Sequence, residues 1–451
     1  MLTWIRHWSW RGLHALSGLQ ERLRRRFTPA GRVLLAGTFA AGLFGVDTRQ
    51  SLSFQAFSLG AALLVLAWLG SLRRPGGLHA SRQLPRYATV GETCRYRVEV
   101  ENRGARPARG LTLSEELPDP RPGLKTFLNT PVSGEARVNP VDRLFAYPRW
   151  HRLLQRGVWA EAQPARPLAD LAPGTRQTVA MELTPLRRGV LRLEALRIAR
   201  SEPLGLGWNA QRSAPAQRLL VLPRRYPVPP QRPPGRRRLQ PGGVSLASAV
   251  GDSREFIGLR DYRPGDSPRH IHWAAWARSG EPVVKEYQDE YFSRQALILD
   301  SFATPGREVD FEAAVSVAAS FVEPLQGGDA LLDLMFVADR AYTFTGGRGL
   351  ISPQGLLEVL ACVEPAGKGG VDSLSDAVLR QAPRLSACLC VLLAWDEPRR
   401  ALAARLRALG LPLRVLVVGV PGPLEPGPMA DRPDNLQRLD PARLEQGLAL
   451  L

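Results

Sequence analysis

Apolar and polar positions change period several times along the chain, and each change marks a different element. Val33 to Val46, extendable back to about Phe27, and Ser51 to Leu72 are nearly continuous apolar runs, and the second has the length a helix needs to cross a bilayer. Asp47, Thr48, Arg49 and Gln50 supply a polar turn between them, so the pattern predicts a transmembrane helical hairpin over 27–74, with spans of about 27–46 and 51–72. Arginines crowd its outer ends, Arg22 and Arg24 to Arg26 before it and Arg73 and Arg74 after it, whereas the turn holds Arg49 alone. The positive-inside rule then turns both ends toward the cytoplasm and predicts a location in the inner (cytoplasmic) membrane. A cleaved signal peptide fits less well, because the basic region is long and a second span follows at once. Ahead of the hairpin, residues 1–26 are basic. Within them Ile5, Trp8, Leu16, Leu19 and Leu23 recur at helical spacing opposite Arg6, Arg11 and Arg22, the pattern of an amphipathic helix in the membrane interface.

From Leu78 the period becomes two. Cys94, Tyr96, Val98 and Val100 alternate with Arg95, Arg97, Glu99 and Glu101, and further runs at Leu111 to Leu117, Thr178 to Leu183 and Val190 to Ile198 predict an antiparallel, immunoglobulin-like β-sandwich over 78–222. Residues 118–170 read as a proline-rich insertion with one helical candidate at Trp150 to Leu154. The Pro/Arg/Gly-rich segment 223–243 reads as an extended linker. From Ala296 short apolar runs alternate with helical patterns: strands at Ala296 to Leu299, Leu331 to Val337, Tyr342 to Phe344, Cys388 to Leu393 and Leu413 to Val418, and helices at Val309 to Phe321, Pro353 to Cys362, Leu374 to Gln381 and Pro398 to Leu409. Residues 296–420 are therefore expected to form a Rossmann-type α/β domain, mostly parallel, followed by a tail over 421–451. In such folds ligands meet the carboxyl ends of the strands, which places Asp300 and Asp396 at the rim.

The formal charge of +18 comes almost entirely from arginine spread along the chain. No basic run is interleaved with aromatics as a base-stacking surface would be, which argues against nucleic acid as a partner. Cys94, Cys362, Cys388 and Cys390 include no C-x-x-C pair, so zinc and dithiol chemistry lack their ligands, and Cys388 and Cys390 read as small core residues of a strand.

Residues 244–295 hold a long ordered motif: Arg254-Glu255-Phe256, Gly258, Arg260, Tyr262, Gly265-Asp266, Arg269, Ile271 and Trp273, then Ala277-Arg278, Gly280, Val284-Lys285 and Glu290. It resembles the signature of the bacterial family called domain of unknown function 58, and Arg187-Arg188-Gly189 and Glu202-Pro203-Leu204-Gly205-Leu206 resemble segments that close that family's sandwich. The resemblance implies paired N-terminal spans, a von Willebrand A-like α/β domain, and genes beside those of MoxR-type AAA+ ATPases and transglutaminase-like membrane proteins. Read physically, Pro264-Gly265 can form a turn in which Asp266 accepts backbone N–H groups, and Arg260 and Arg269 suit carboxylates such as Glu255 or Asp261. Trp273 and Trp276 are expected in a core, and His270 with His272 lacks a third metal ligand.

Von Willebrand A domains bind a divalent cation through D-x-S-x-S, a threonine and a second aspartate. Here Asp300 and Thr304 match, Phe302 replaces the first serine, and Val371 stands where the threonine hydroxyl would be. With Asp396 the remnant is short of the six oxygens magnesium prefers, so at most weak Mg²⁺ binding is expected, with only a modest cost for Asp300→Ala. No phosphate loop, H-E-x-x-H or G-x-S-x-G occurs. The leading expectation is a non-enzymatic, membrane-anchored assembly factor whose α/β domain docks partners, a MoxR-type AAA+ ATPase and a transglutaminase-like membrane protein being those the resemblance implies. The alternatives are a metal-dependent binding protein or hydrolase centred on Asp300, and an anionic-lipid scaffold using Arg232 to Arg238.

Overall fold

The computed structural model describes residues 2–44, 51–72, 76–130, 139, 142, 145–229, 240–241, 255–288, 291–304, 306–325, 330–347, 349–366 and 370–451. The polar turn Asp47 to Gln50, Arg73 and Arg74, the linker arginines Arg232 to Arg238, and Arg254 and Glu290 of the signature lie outside them. The chain divides into two compact units, Met1–Arg224 and Arg225–Leu451.

The first unit opens with three helices, α1 (Leu2–Arg26), α2 (Pro29–Phe44) and α3 (Ser51–Ser71). Helices α2 and α3 pack against each other at small residues: a Cβ on Gly60 would stand 2.2 Å from the Thr38 hydroxyl, and one on Gly42 3.1 Å from the Phe57 ring. Their outer surface keeps Val33, Phe39, Leu43, Leu52 and Leu66 exposed. Leu52–Ser71 is long and apolar enough to cross a membrane. With 16 residues, α2 rises only about 24 Å and falls short of the hydrocarbon thickness. The predicted stripe of α1 stays outward, with Trp8, Leu16 and Leu19 exposed, while Trp10 and Leu13 pack on a small core of Phe127, Ala146, Trp150 and Leu153.

The strands of this unit are β1 (Leu78–Gln83), β2 (Tyr87–Thr89), β3 (Cys94–Asn102), β4 (Leu111–Glu116), β5 (Ala160–Ala162), β6 (Arg166–Pro167), β7 (Arg176–Pro185), β8 (Gly189–Leu193), β9 (Ala195–Ser201), β10 (Trp208–Ser213) and β11 (Gln217–Leu222). They form two four-stranded sheets, β1-β3-β7-β5 and β10-β9-β4-β6, and a three-stranded sheet β2-β11-β8. All three contribute to one core that includes Tyr96, Val98, Leu113, Met181, Leu191, Ile198 and Val221. The run Val190 to Ile198, expected as one strand, breaks at Glu194 into β8 and β9, which belong to different sheets. The expected insertion 118–170 also does more than loop. It supplies helices Leu124–Asn129 and Tyr147–Gly157, and β5 and β6 extend the two larger sheets at their edges.

A polar triad is buried among these strands. Glu115 accepts from the Tyr96 hydroxyl at 2.8 Å and lies 2.9 Å from Arg82, with the Arg82 and Glu115 side chains both sealed from solvent. Burial raises the Glu115 carboxyl to about 7 although Arg82 and Tyr96 pull it down. The folded state then binds a proton that the unfolded state releases near its ordinary value, so stability is greatest below that value and declines as pH rises through about 7. Denaturant midpoints of the solubilised chain should fall between pH 5 and 8, and Glu115→Gln should flatten that slope; an unchanged slope would remove Glu115 as its cause.

In the second unit, β12 (Gln240–Pro241) pairs with β15 (Tyr291–Phe292), and β13 (Glu255–Asp261) pairs antiparallel with β14 (Val283–Gln288). The larger sheet contains β16 (Arg294–Leu299), β17 (Leu331–Val337), β18 (Ala341–Gly346), β19 (Ala387–Leu392), β20 (Leu413–Val418) and β21 (Leu436–Leu439), in the order β18-β17-β16-β19-β20-β21. Only β18 runs antiparallel. The segment 421–451 is therefore not a tail: it supplies β21, which pairs parallel with β20 and places Leu439 in the core. One face of the sheet packs Ala296, Ile298, Cys388 and Cys390 against helices Val371–Gln381 and Glu397–Ala408. The other face is covered by helix Glu308–Leu325. Burial drives the Cys388 thiol up to about 12, as befits an inert core residue.

Candidate functional site

The strand order turns back on itself between β16 and β19, since the chain goes one way from β16 through β17 to β18 and the other way from β19 through β20 to β21. A crevice forms at the carboxyl ends of the strands where such a sheet reverses, and ligands of doubly wound folds bind there. Asp300 follows β16 and Asp396 follows β19, so the two predicted rim carboxylates meet at this reversal.

Asp300 is fully buried. Its Oδ1 accepts from the Phe302 backbone N–H at 3.0 Å, and its Oδ2 accepts from the Leu393 N–H at 3.0 Å and from Arg399 Nε at 2.6 Å. Arg399 comes from the first turn of helix Glu397–Ala408, which Asp396 caps, and its Nη1 donates to Asp396 Oδ2 at 2.6 Å. One guanidinium, 7% exposed, thus spans both carboxylates. Burial alone would lower the pKa of Arg399, but Asp300 and Asp396 more than reverse that and raise it. Phe302 packs on the apolar core, Thr304 is exposed, and Val371 is buried in the first turn of its helix. No pattern in the sequence marks Arg399 for this place. Its partner Asp300 lies 99 residues away in sequence, and only the topology joins them.

A second arginine ties the same edge together. Arg307 donates to Asp310 at 2.6 Å, to the carbonyl of Leu393 at 3.0 Å and to that of Gly419 at 2.8 Å, clamping the loops after β19 and β20. Gly419 has φ of +77°, and a Cβ there would stand 2.3 Å from the Asp310 carboxylate, so the position requires glycine on both counts.

The signature motif forms β13, β14 and the connection between them. Gly265, at φ +108°, makes the turn, and Asp266 receives both Arg260 nitrogens at 2.7 Å and the Arg263 backbone N–H at 2.8 Å. Those bonds, Arg260 first, hold the Asp266 carboxyl down at about 2. Arg260 thus pairs with Asp266, and its Nη1 also donates to the Asp261 backbone carbonyl at 3.1 Å. His272 does not share a strand face with His270, because Pro268–His270 is a single 3-10 turn and His272 Nδ1 accepts from the Ala275 N–H as cap of helix Trp273–Ser279. Trp273 and Trp276 stack, with ring centroids 5.4 Å apart, but they are not core: Trp273 is 64% exposed, and Leu259 and Tyr262 are exposed on the same hairpin. Gly258 lies in β13, Arg269 and Arg278 lie in the connection to β14, Lys285 stands opposite Leu259 on β14, and Glu255 and Phe256 begin β13.

Among curated proteins, none matches the chain. Proximal thread matrix protein 1 from the mussel byssus is similar in structure at TM-score 0.29 and 14% identity, over 35% of this chain and 44% of that one, so the chain spans less than half of the mussel protein. The CARDB domain of PF1109 from Pyrococcus furiosus in complex with di-metal ions aligns at TM-score 0.18 and 11% identity, over 32% of this chain and 87% of that domain. Red sea bream transglutaminase aligns at TM-score 0.16 and 14% identity, over 32% of this chain and 14% of the enzyme. Residues 258–425 match the family model described as Protein of unknown function DUF58, a span that begins inside the signature hairpin and runs through β20. Over that span, a minority of its length, the chain matches the DUF58 family.

Proposed function

We propose that the protein is a membrane-anchored docking factor whose α/β domain is von Willebrand A-like and works without a bound cation. The observation that carries this reading is Arg399: a guanidinium joining Asp300 to Asp396 supplies the positive charge that a divalent ion would bring, and Phe302 and Val371 offer it no oxygen. With both Asp300 oxygens engaged by N–H donors, the reading of Asp300 as the centre of a hydrolase has little to recommend it. The sheets of the first unit suit an immunoglobulin-like sandwich. The arginines flanking the apolar helices favour a cytoplasmic orientation in the inner membrane.

The docking surface in this reading is the signature hairpin, where Trp273 stands out on a backbone fixed by the Arg260–Asp266 pair. Exposed tryptophans on rigid supports are the residues that dominate protein interfaces. A MoxR-type AAA+ ATPase is the proposed partner, with a transglutaminase-like membrane protein as a second, on the strength of the family resemblance. Crosslinking from intact membranes should recover the ATPase with the native chain. Trp273→Ala should reduce recovery about tenfold or more, as expected for an interface hot spot, with little change in melting temperature. Recovery of no ATPase, or equal recovery by the variant, would count against the proposal.

A further inference from the structure

The first unit holds a cavity of about 1110 Å³ between the second half of α1 and the sheets, bordered by Arg22 and Arg25 on the helix and by Arg197 and Arg212 on the strands. Its charges are unequally matched. Every carboxylate lining it has an arginine: Glu21 pairs with Arg24 and Arg25, Glu115 with Arg82, Glu116 with Arg25 and Arg212, Asp119 with Arg121, and Glu194 with Arg192. Two lining arginines form no salt bridge among the described residues. Arg22 is one. Arg197, half-buried, donates only to the backbone carbonyl of Arg25, at 2.6 Å. Burial pushes the Arg197 pKa down, with Arg25 and Arg24 adding to the effect against Glu116 and Glu21. A half-buried guanidinium short of counter-charge and facing open volume is suited to an anion.

The cavity's place in the fold narrows the anion. The arginines of α1 immediately precede Thr28, whose hydroxyl and backbone N–H bond the carbonyls of Gly205 and Leu206 where α2 begins. If α2 and α3 lie in the bilayer, the cavity sits at the depth of the lipid headgroups. We propose that it binds the phosphate of an anionic phospholipid, with Arg22 and Arg197 as the phosphate-binding groups. This rests on the membrane reading of the helix pair.

The full chain, stripped of lipid in a zwitterionic detergent, would be given phosphatidylglycerol, phosphatidylcholine or inorganic phosphate, and the bound ligand read by native mass spectrometry. Phosphatidylglycerol should be retained at least fivefold over phosphatidylcholine. The double change Arg22→Gln with Arg197→Gln should abolish that preference, Arg197→Lys should keep part of it, and Arg95→Gln on another sheet should leave it whole. Undiminished preference in the double variant would overturn the proposal. So would displacement of phosphatidylglycerol by millimolar inorganic phosphate, which would mark the ligand as a soluble anion. The membrane reading is tested separately by extraction: a chain released from membranes by carbonate alone would defeat that reading whatever the lipid preference.

Discussion

Arg399→Met is expected to destabilise the chain by about 3–5 kcal/mol, because it leaves Asp300 buried with an uncompensated charge. Asp300→Leu should cost a similar amount by leaving the buried guanidinium with Asp396 alone and stranding the N–H groups of Leu393 and Phe302. This is larger than the modest cost of Asp300→Ala expected from sequence, which followed from weak cation binding and took no account of Arg399. The double change should cost far less than the sum, since an apolar pair removes both charges together. Urea unfolding of the solubilised chain, followed by a signal from the second unit, measures all three. Additive costs would mean that the two residues do not act on each other.

The second large effect is expected at Glu202, in the turn that resembles a family segment. Its carboxylate, 4% exposed, accepts from the backbone N–H groups of Leu204 at 2.6 Å, Leu206 at 2.5 Å and Gly207 at 3.0 Å. The turn it shapes receives the start of α2 so closely that a Cβ on Gly31 would stand 1.8 Å from the Leu206 carbonyl oxygen. Glu202→Ala strands three N–H groups and loosens that seat, a loss of about 3 kcal/mol or more. Glu202→Gln keeps one acceptor oxygen and should cost less than half as much. Limited proteolysis between α1 and α2 should rise in step with the loss. Protection equal to that of the native chain would show that the turn does not hold the helix.

The elements read best from sequence are those whose signals are local. β3 alternates along its whole length, β20 is apolar but for Arg414, and helix Pro353–Cys362 begins at Ser352, whose side chain accepts from the Gly355 N–H at 3.1 Å. β21 was missed because four residues at the parallel edge of a sheet carry little pattern of their own and depend on β20 for their pairing. The tryptophans of the signature misled for a related reason. Spacing of three predicts a shared helix face, but says nothing about whether anything covers it, and a helix of seven residues in a hairpin connection leaves Trp273 bare. At the sheet's reversal the carboxylates could be placed by the position rule for strand ends. The residue that defines their chemistry could not, since an arginine in the first turn of an ordinary amphipathic helix has no sequence mark that assigns it to Asp300.

Cation independence is tested most directly by the melting temperature of the solubilised native chain across magnesium concentrations, from excess chelator to a few millimolar Mg²⁺. With Arg399 between the carboxylates, the account predicts a flat response, with stabilisation below about 1 kcal/mol. A saturating rise in melting temperature with Mg²⁺ that Asp300→Asn abolishes would contradict it.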